Sequence, residues 1–597
     1  MKPDEKIKWI LDHSLLYFGP HHEVFRLLKT AYPGSSRSVR ISLIEQAQQG
    51  PDLKSEVSEE DKQYLAFSIL IWLAEADPSC ELAKSVVESL RTFHPDWRLG
   101  SHADRQFWMG AAGFMSSGIP VEEVLAKDPD KDFDWFVSSQ PRNLPLRFGG
   151  GVPIYDAVLK SFQWGLKLAR VLTARGNSDP GLWRPLLQAC TVNVATEESR
   201  SELLNLLFEN HGLWSVDGLD HTICDLMAEW SRDVSESLAV WYPVAEKLSD
   251  LIWDECEKAS PQKLEVYPNW LDLAHNRSGG RLVQFWMCDL RQRLHLKNLS
   301  ESQKSEFKSR VDKIAAGDSS AAQFGRAILG QEANLLVTLD LEWAEHLMSE
   351  ILDFASPAKA EPSWHGYLFI PALPQILQSL LQCYASAVVH LGAELKPVRS
   401  SFANHVALIV LFIAPEPLKS PFFKIFIKDA PEDDLVSFAA CMGNQLRSME
   451  HDQIKAVWQA WLRNYWDERL DGKPRTLLEE ELTRMAGWLP YLDDVFPEAV
   501  ARICEKPPKL EQSSALHFLS ESDLPRRFPD ETAKLLLSVM PRLTIGAMWF
   551  WEPLKNIIAA LRDAGIKYEV LKLLCDQLTR LEYPKASELL EEKPASK

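Results

Sequence analysis

The sequence predicts an all-α protein built as a degenerate, α-solenoid-like array of helix hairpins. Three observations predict it. Apolar residues recur at helical spacing along nearly the whole chain. Strand-type alternation joined by Asn-Gly or Asp-Gly turns is scarce. Two matching helix starts, Phe496-Pro497-Glu498 and Phe528-Pro529-Asp530, stand 32 residues apart, about one helical hairpin. The competing architecture is two or three irregular helical domains.

The first element carries Ile7, Ile10, Leu11, Leu15 and Phe18 at helical spacing. Further along, proline punctuates the chain after an aromatic residue, at Tyr32-Pro33, Tyr242-Pro243, Tyr267-Pro268, Phe496-Pro497, Phe528-Pro529 and Tyr583-Pro584. Proline suits the first helical turn because that N–H has no intrahelical partner, and the aromatic can fold over the helix start. The clearest amphipathic stretch is Ile454, Val457, Trp458, Trp461, Leu462, Tyr465 and Trp466, one wide apolar face with a polar back. A tight turn at Asp471–Pro474 follows. Thr476 and Glu479 then have capping-box spacing, Leu478, Leu482, Met485 and Leu489 mark a buried face, and Pro490 is expected to end that helix.

A chain of 597 residues exceeds what one core usually supports. Polar or proline-rich breaks fall at 50–60, 127–133 with 140–153, and 355–362. They suggest an N-terminal helical region over 1–140, a central helical-repeat region over 141–355, a C-terminal helical domain over 356–590 and a frayed tail over 591–597.

Hydrophobic residues are 46% and charged residues 25% of the chain, too apolar for wholesale disorder. The 21 Trp and 26 Phe are material for both core and partner surfaces. A net charge of −19 argues against nucleic acid, since the densest basic run is only Arg291, Arg293, His295 and Lys297, and Arg526-Arg527 is the only other notable pair. These read as solvated helix faces. The nine cysteines are scattered and never paired as CxxC, so free buried thiols are expected, not a disulfide framework or zinc ribbon. No signal-peptide pattern opens the chain, and the longest apolar runs, such as Val406–Ala414, are too short to span a bilayer. A cytoplasmic protein without membrane contact is expected.

Candidate chemistry is sparse. Gly149-Gly150-Gly151 before a helical stretch lacks both GxxxxGK[ST] and a preceding strand, and reads as an interdomain loop. Asp128, Asp130, Asp132 and Asp134 alternate as in a calcium loop, but Phe133 and Ser139 stand where Gly and Glu are required. His13, His21, His22 and Glu23 lie close together without metal-ligand spacing. His365 follows Trp364 in a loop-like segment with no nucleophile to activate. No catalytic residue, cofactor or metal site is expected.

The pattern Trp466-x-x-Arg469-Leu470-x-Gly472-x-Pro474, with Trp461 before it and Met485-x-x-Trp488 and Phe496-Pro497-Glu498-Ala499-Val500 after it, resembles a bacterial domain-of-unknown-function family, number 4020. Trp270–Asn276 with Gly280 and Phe285-Trp286 looks like the helical region that accompanies that domain, as does Trp364-x-Gly366-Tyr367-Leu368. The resemblance implies a setting in antiphage defence, where such a region often follows a sirtuin-like domain. This sequence departs from that arrangement. No GAGxS-like turn or Rossmann pattern precedes the helices, so NAD-handling activity is not carried over. Trp461, Trp466, Arg469, Leu470, Gly472, Pro474, Met485, Trp488, Phe496 and Pro497 read as packing and turn positions.

The function expected is therefore a non-enzymatic scaffold or sensor. It would bind a protein partner, an effector or a phage protein, through a solenoid groove rich in Trp. The alternatives are a cryptic hydrolase or nucleotide-acting enzyme with a cleft near Gly149–Gly151, or the detached helical half of a split sirtuin-like effector.

Overall fold

A computed structural model describes residues 2–13, 15–18, 21–49, 59–94, 119–138, 153–192, 195–214, 218–232, 239–258, 269–414, 416–510, 514–545 and 548–590. Among these residues every regular element is helical. The chain divides into two compact units, 1–252 and 253–597.

In the first unit, helices Pro3–Asp12, His21–Ala31, Arg37–Gln49, Glu59–Ala76 and Glu81–Phe93 bury Ile7, Ile10, Phe25, Leu28, Leu43, Phe67 and Leu73 in one core. Farther along, Ser161 and Thr196 cap the helices Phe162–Ala174 and Glu197–Glu209, each accepting a first-turn backbone N–H. The alternating aspartates form a turn that bonds to itself, from Asp130 N–H to Asp128 Oδ1 at 3.0 Å, and is answered by Lys167 and Arg175.

Hairpin succession shows in the sequence separations of the contacts. In the first unit Trp164 Nε1 donates to the Lys127 carbonyl 37 residues back, and Trp230 Nε1 to the Cys190 carbonyl 40 back. In the second unit Arg399 meets Asp434 across 35 residues at 2.7 Å, and Arg502 meets Asp467 across 35 at 3.0 Å. The two recurring helix starts touch directly. Phe496 and Phe528 stack with centroids 6.1 Å apart, at the heads of the helices Phe496–Ile503 and Pro529–Val539.

These contacts also account for the tryptophans. Trp241, Trp286, Trp364, Trp458, Trp466 and Trp488 are among the largest fully buried side chains. Trp364 and Trp488 donate their indole N–H to the carbonyls of Leu352 and Ala439. Each fills core volume and satisfies a carbonyl on a neighbouring segment. These six tryptophans therefore lie in the core and not in a groove, Trp364 and Trp488 with a matched indole N–H.

The upstream motif residues converge on one node of the second unit. The Trp270 backbone N–H donates to His365 Nδ1 at 3.1 Å, joining the start of Trp270–His275 to the helix Pro357–Tyr367. A Cβ on Gly366 would lie 1.8 Å from the Ala327 carbonyl oxygen, and one on Gly280 would lie 2.1 Å from that of Ala274. Only glycine permits backbones this close.

Several expectations are corrected locally. The 355–362 break is largely helix: Pro357 occupies a first-turn position, Pro362 lies inside the helix, and His365 is helical rather than in a loop. Thr476 makes no capping box, since the second helix starts at Glu479 with Leu478 as an uncapped N-cap residue. That helix ends at Ala486, and Pro490 sits in the following 3-10 turn Leu489–Tyr491. Tyr583-Pro584 opens a turn, not a helix, and Tyr267-Pro268 lies outside the described residues. The basic runs are only partly solvated. Arg291 pairs with Glu332, Arg293 with the buried Asp289, and Arg527 with Asp493 and Asp494. No helix among the described residues is long and apolar enough to cross a membrane. The Val406–Ala414 run ends the helix Arg399–Leu408 and continues as a π turn, Ile409–Ile413.

Candidate interaction site

The ten motif residues all lie in the second unit, and one of them, Gly472, lines a polar cleft there. The amphipathic stretch folds as His451–Val457, a π turn Trp458–Leu462, and Arg463–Leu470. Its apolar face is buried as the spacing predicts. Trp461 packs on Phe423 and Tyr465, and Trp466 lies between Trp458 and Trp488 at 6.0 and 5.5 Å. Met485 is fully buried, and Leu470 nearly so. Phe496 and Pro497 head the next helix.

Arg469 is the one charged motif residue, and it is 1% exposed. Its Nε and one terminal nitrogen donate to the two carboxylate oxygens of Glu481, each at 2.8 Å. The other terminal nitrogen donates to the carbonyls of Lys473 at 2.7 Å and Arg475 at 2.9 Å. Burial disfavours the guanidinium charge, yet the Glu481 bonds hold its pKa above the ordinary range. The turn 471–478 is thereby fastened to both flanking helices. Gly472 takes φ +77°, which favours glycine, and Pro474 follows a cis bond to Lys473.

This turn borders a cleft of about 490 Å³ lined by Asp471, Gly472, Thr476, Leu477, Glu479, Leu482, Lys506 and Arg542. The cations share a device, a basic side chain donating to a backbone carbonyl at or shortly past the end of an earlier helix. Lys506 Nζ donates to Leu470 O at 2.5 Å, Arg542 to Pro507 O, and Arg580 to Met540 O at 2.6 Å. Helix C-termini leave such carbonyls unpaired and negative, so a cation there is favourable. Both carboxylates of the cleft are answered. Asp471 takes Arg502 at 2.8 Å and Lys473 at 3.4 Å, and the Arg502 bond foremost holds its pKa below the usual range. Glu479 takes Arg542 at 3.1 Å and the Lys509 backbone N–H at 3.0 Å.

A few residues past Arg542 the chain exposes Ile545 at 54%, Met548 at 67% and Trp549 at 70%. Sequence reasoning did not find Glu481, Lys506, Arg542 or Trp549. Glu481 is the last of three consecutive glutamates, and no local pattern separates it from Glu479 and Glu480. The basic residues could have been found by their repeat spacing, since their bonds reach back 36, 35 and 40 residues.

The candidates His365 and His13, and the buried His405, hold structure. His365 Nδ1 accepts the Trp270 N–H, so Nε2 carries the hydrogen and donates to the Glu394 carbonyl at 3.1 Å. His405 donates from Nε2 to Ile370 O and accepts the Tyr384 hydroxyl at Nδ1, at 2.5 and 2.8 Å. Burial lowers the pKa of each to about 4. His13 Nδ1 bonds the Trp9 carbonyl at 2.9 Å. Nothing is described for the side chains of His21, His22 and Glu23, and Gly149–Gly151 lie outside the described residues.

Residues 415–578 match a family described as Domain of unknown function (DUF4020). The match contains all ten motif residues, the cleft and Trp549. No curated protein matches the chain.

Proposed function

We propose that the protein is a helical scaffold that binds a protein partner through its 415–578 segment. The observation that carries this reading is Trp549, the most exposed tryptophan among the described residues, beside exposed Met548. Tryptophan is enriched among the few residues that dominate interface energies, and a large exposed apolar group is otherwise costly in a chain that buries so many of its rings. The resemblance to a family whose helical region often follows a sirtuin-like domain in antiphage defence supports an effector or a phage protein as the partner.

The test is affinity purification of tagged wild type and Trp549→Ala from the native host, with and without phage challenge, followed by mass spectrometry. We expect a stoichiometric partner with wild type and at least a tenfold loss with the variant, as an anchor worth about 2 kcal/mol or more predicts. A partner retained equally by both, or none with either, overturns the reading.

A further inference from the structure

We draw no further inference here: the strongest candidate, the open cleft between the 368–371 segment and the helix Arg399–Leu408 with exposed Phe369 in its lining, carries nothing because no group in that lining selects one occupant and nothing in the structure shows what covers it.

Discussion

Replacing Glu481 by Gln tests whether a buried ion pair holds the turn that shapes the cleft. Arg469 and Glu481 are 1% and 0% exposed, and their paired bonds leave neither charge in water. Removing one partner of such a pair costs about 3–5 kcal/mol, because the remaining charge stays buried without its counterion. Glu481→Gln keeps the shape and one acceptor, so we expect about 3 kcal/mol. Arg469→Met strands the carboxylate and also removes the donor of the Lys473 and Arg475 carbonyls, and we expect the upper end, about 5 kcal/mol. In Arg469→Met/Glu481→Leu no charge is stranded. Only the two carbonyls lose a partner, and the turn lets water reach them, for about 2 kcal/mol. The double variant should therefore be more stable than either single one. Hydrogen exchange read by mass spectrometry on peptides spanning 458–488 reports this segment without averaging over the whole chain. At about 1.4 kcal/mol per decade, protection should fall roughly 100-fold or more in each single variant and only about 30-fold in the double. A Glu481→Gln cost below about 1 kcal/mol, or a double variant whose cost equals the sum of the singles, would refute the argument.

Three further outcomes follow from the same structure. His365 and His405 are held neutral with pKa values of about 4 against an ordinary 6.5, so the unfolded chain takes up protons first as pH falls. Their contribution is complete above pH 6.5 and is lost progressively down to pH 4. Wild type should lose about 2–3 kcal/mol more between pH 7.5 and 4.5 than either His→Gln variant, in urea melts at the two pH values. Buried Asp289 has a raised pKa from its desolvation and opposes this trend in the whole chain. Comparison with each variant removes it. Gly366→Ala drives a methyl into the Ala327 carbonyl and should cost about 1–3 kcal/mol or more, whereas Gly212→Ala meets open space and should fall within about 0.5 kcal/mol of wild type. Equal melting temperatures for the two variants would dismiss close backbone approach as the reason for Gly366.

Much of the architecture was legible from local patterns. Helical periodicity at Ile454–Trp466 is a property of residue spacing, and six of its seven apolar positions are buried as the spacing requires. The helix start at Phe528-Pro529 was legible for the same local reason, fixed proline geometry and a missing N–H. Boundaries were less so. Thr476 and Glu479 have the spacing of a capping box, but Arg542 and the Lys509 backbone draw Glu479 into the cleft instead.

The motif residues could be recognised in sequence, but their company could not. Arg469 shows no sign in the sequence that Glu481, twelve residues on, will be its partner, since two neighbouring glutamates have the same local chemistry. Gly366 and Gly280 are ordinary helical glycines until another backbone meets them. The fate of the tryptophans, core or surface, was likewise undetermined, and packing placed six of the largest in the interior while leaving Trp549 exposed. Periodicity and turn chemistry act within a few residues, so the sequence by itself determined the helices and their succession. Charge pairing, close approach and exposure depend on groups brought together from separate helices, and those only the tertiary structure decided.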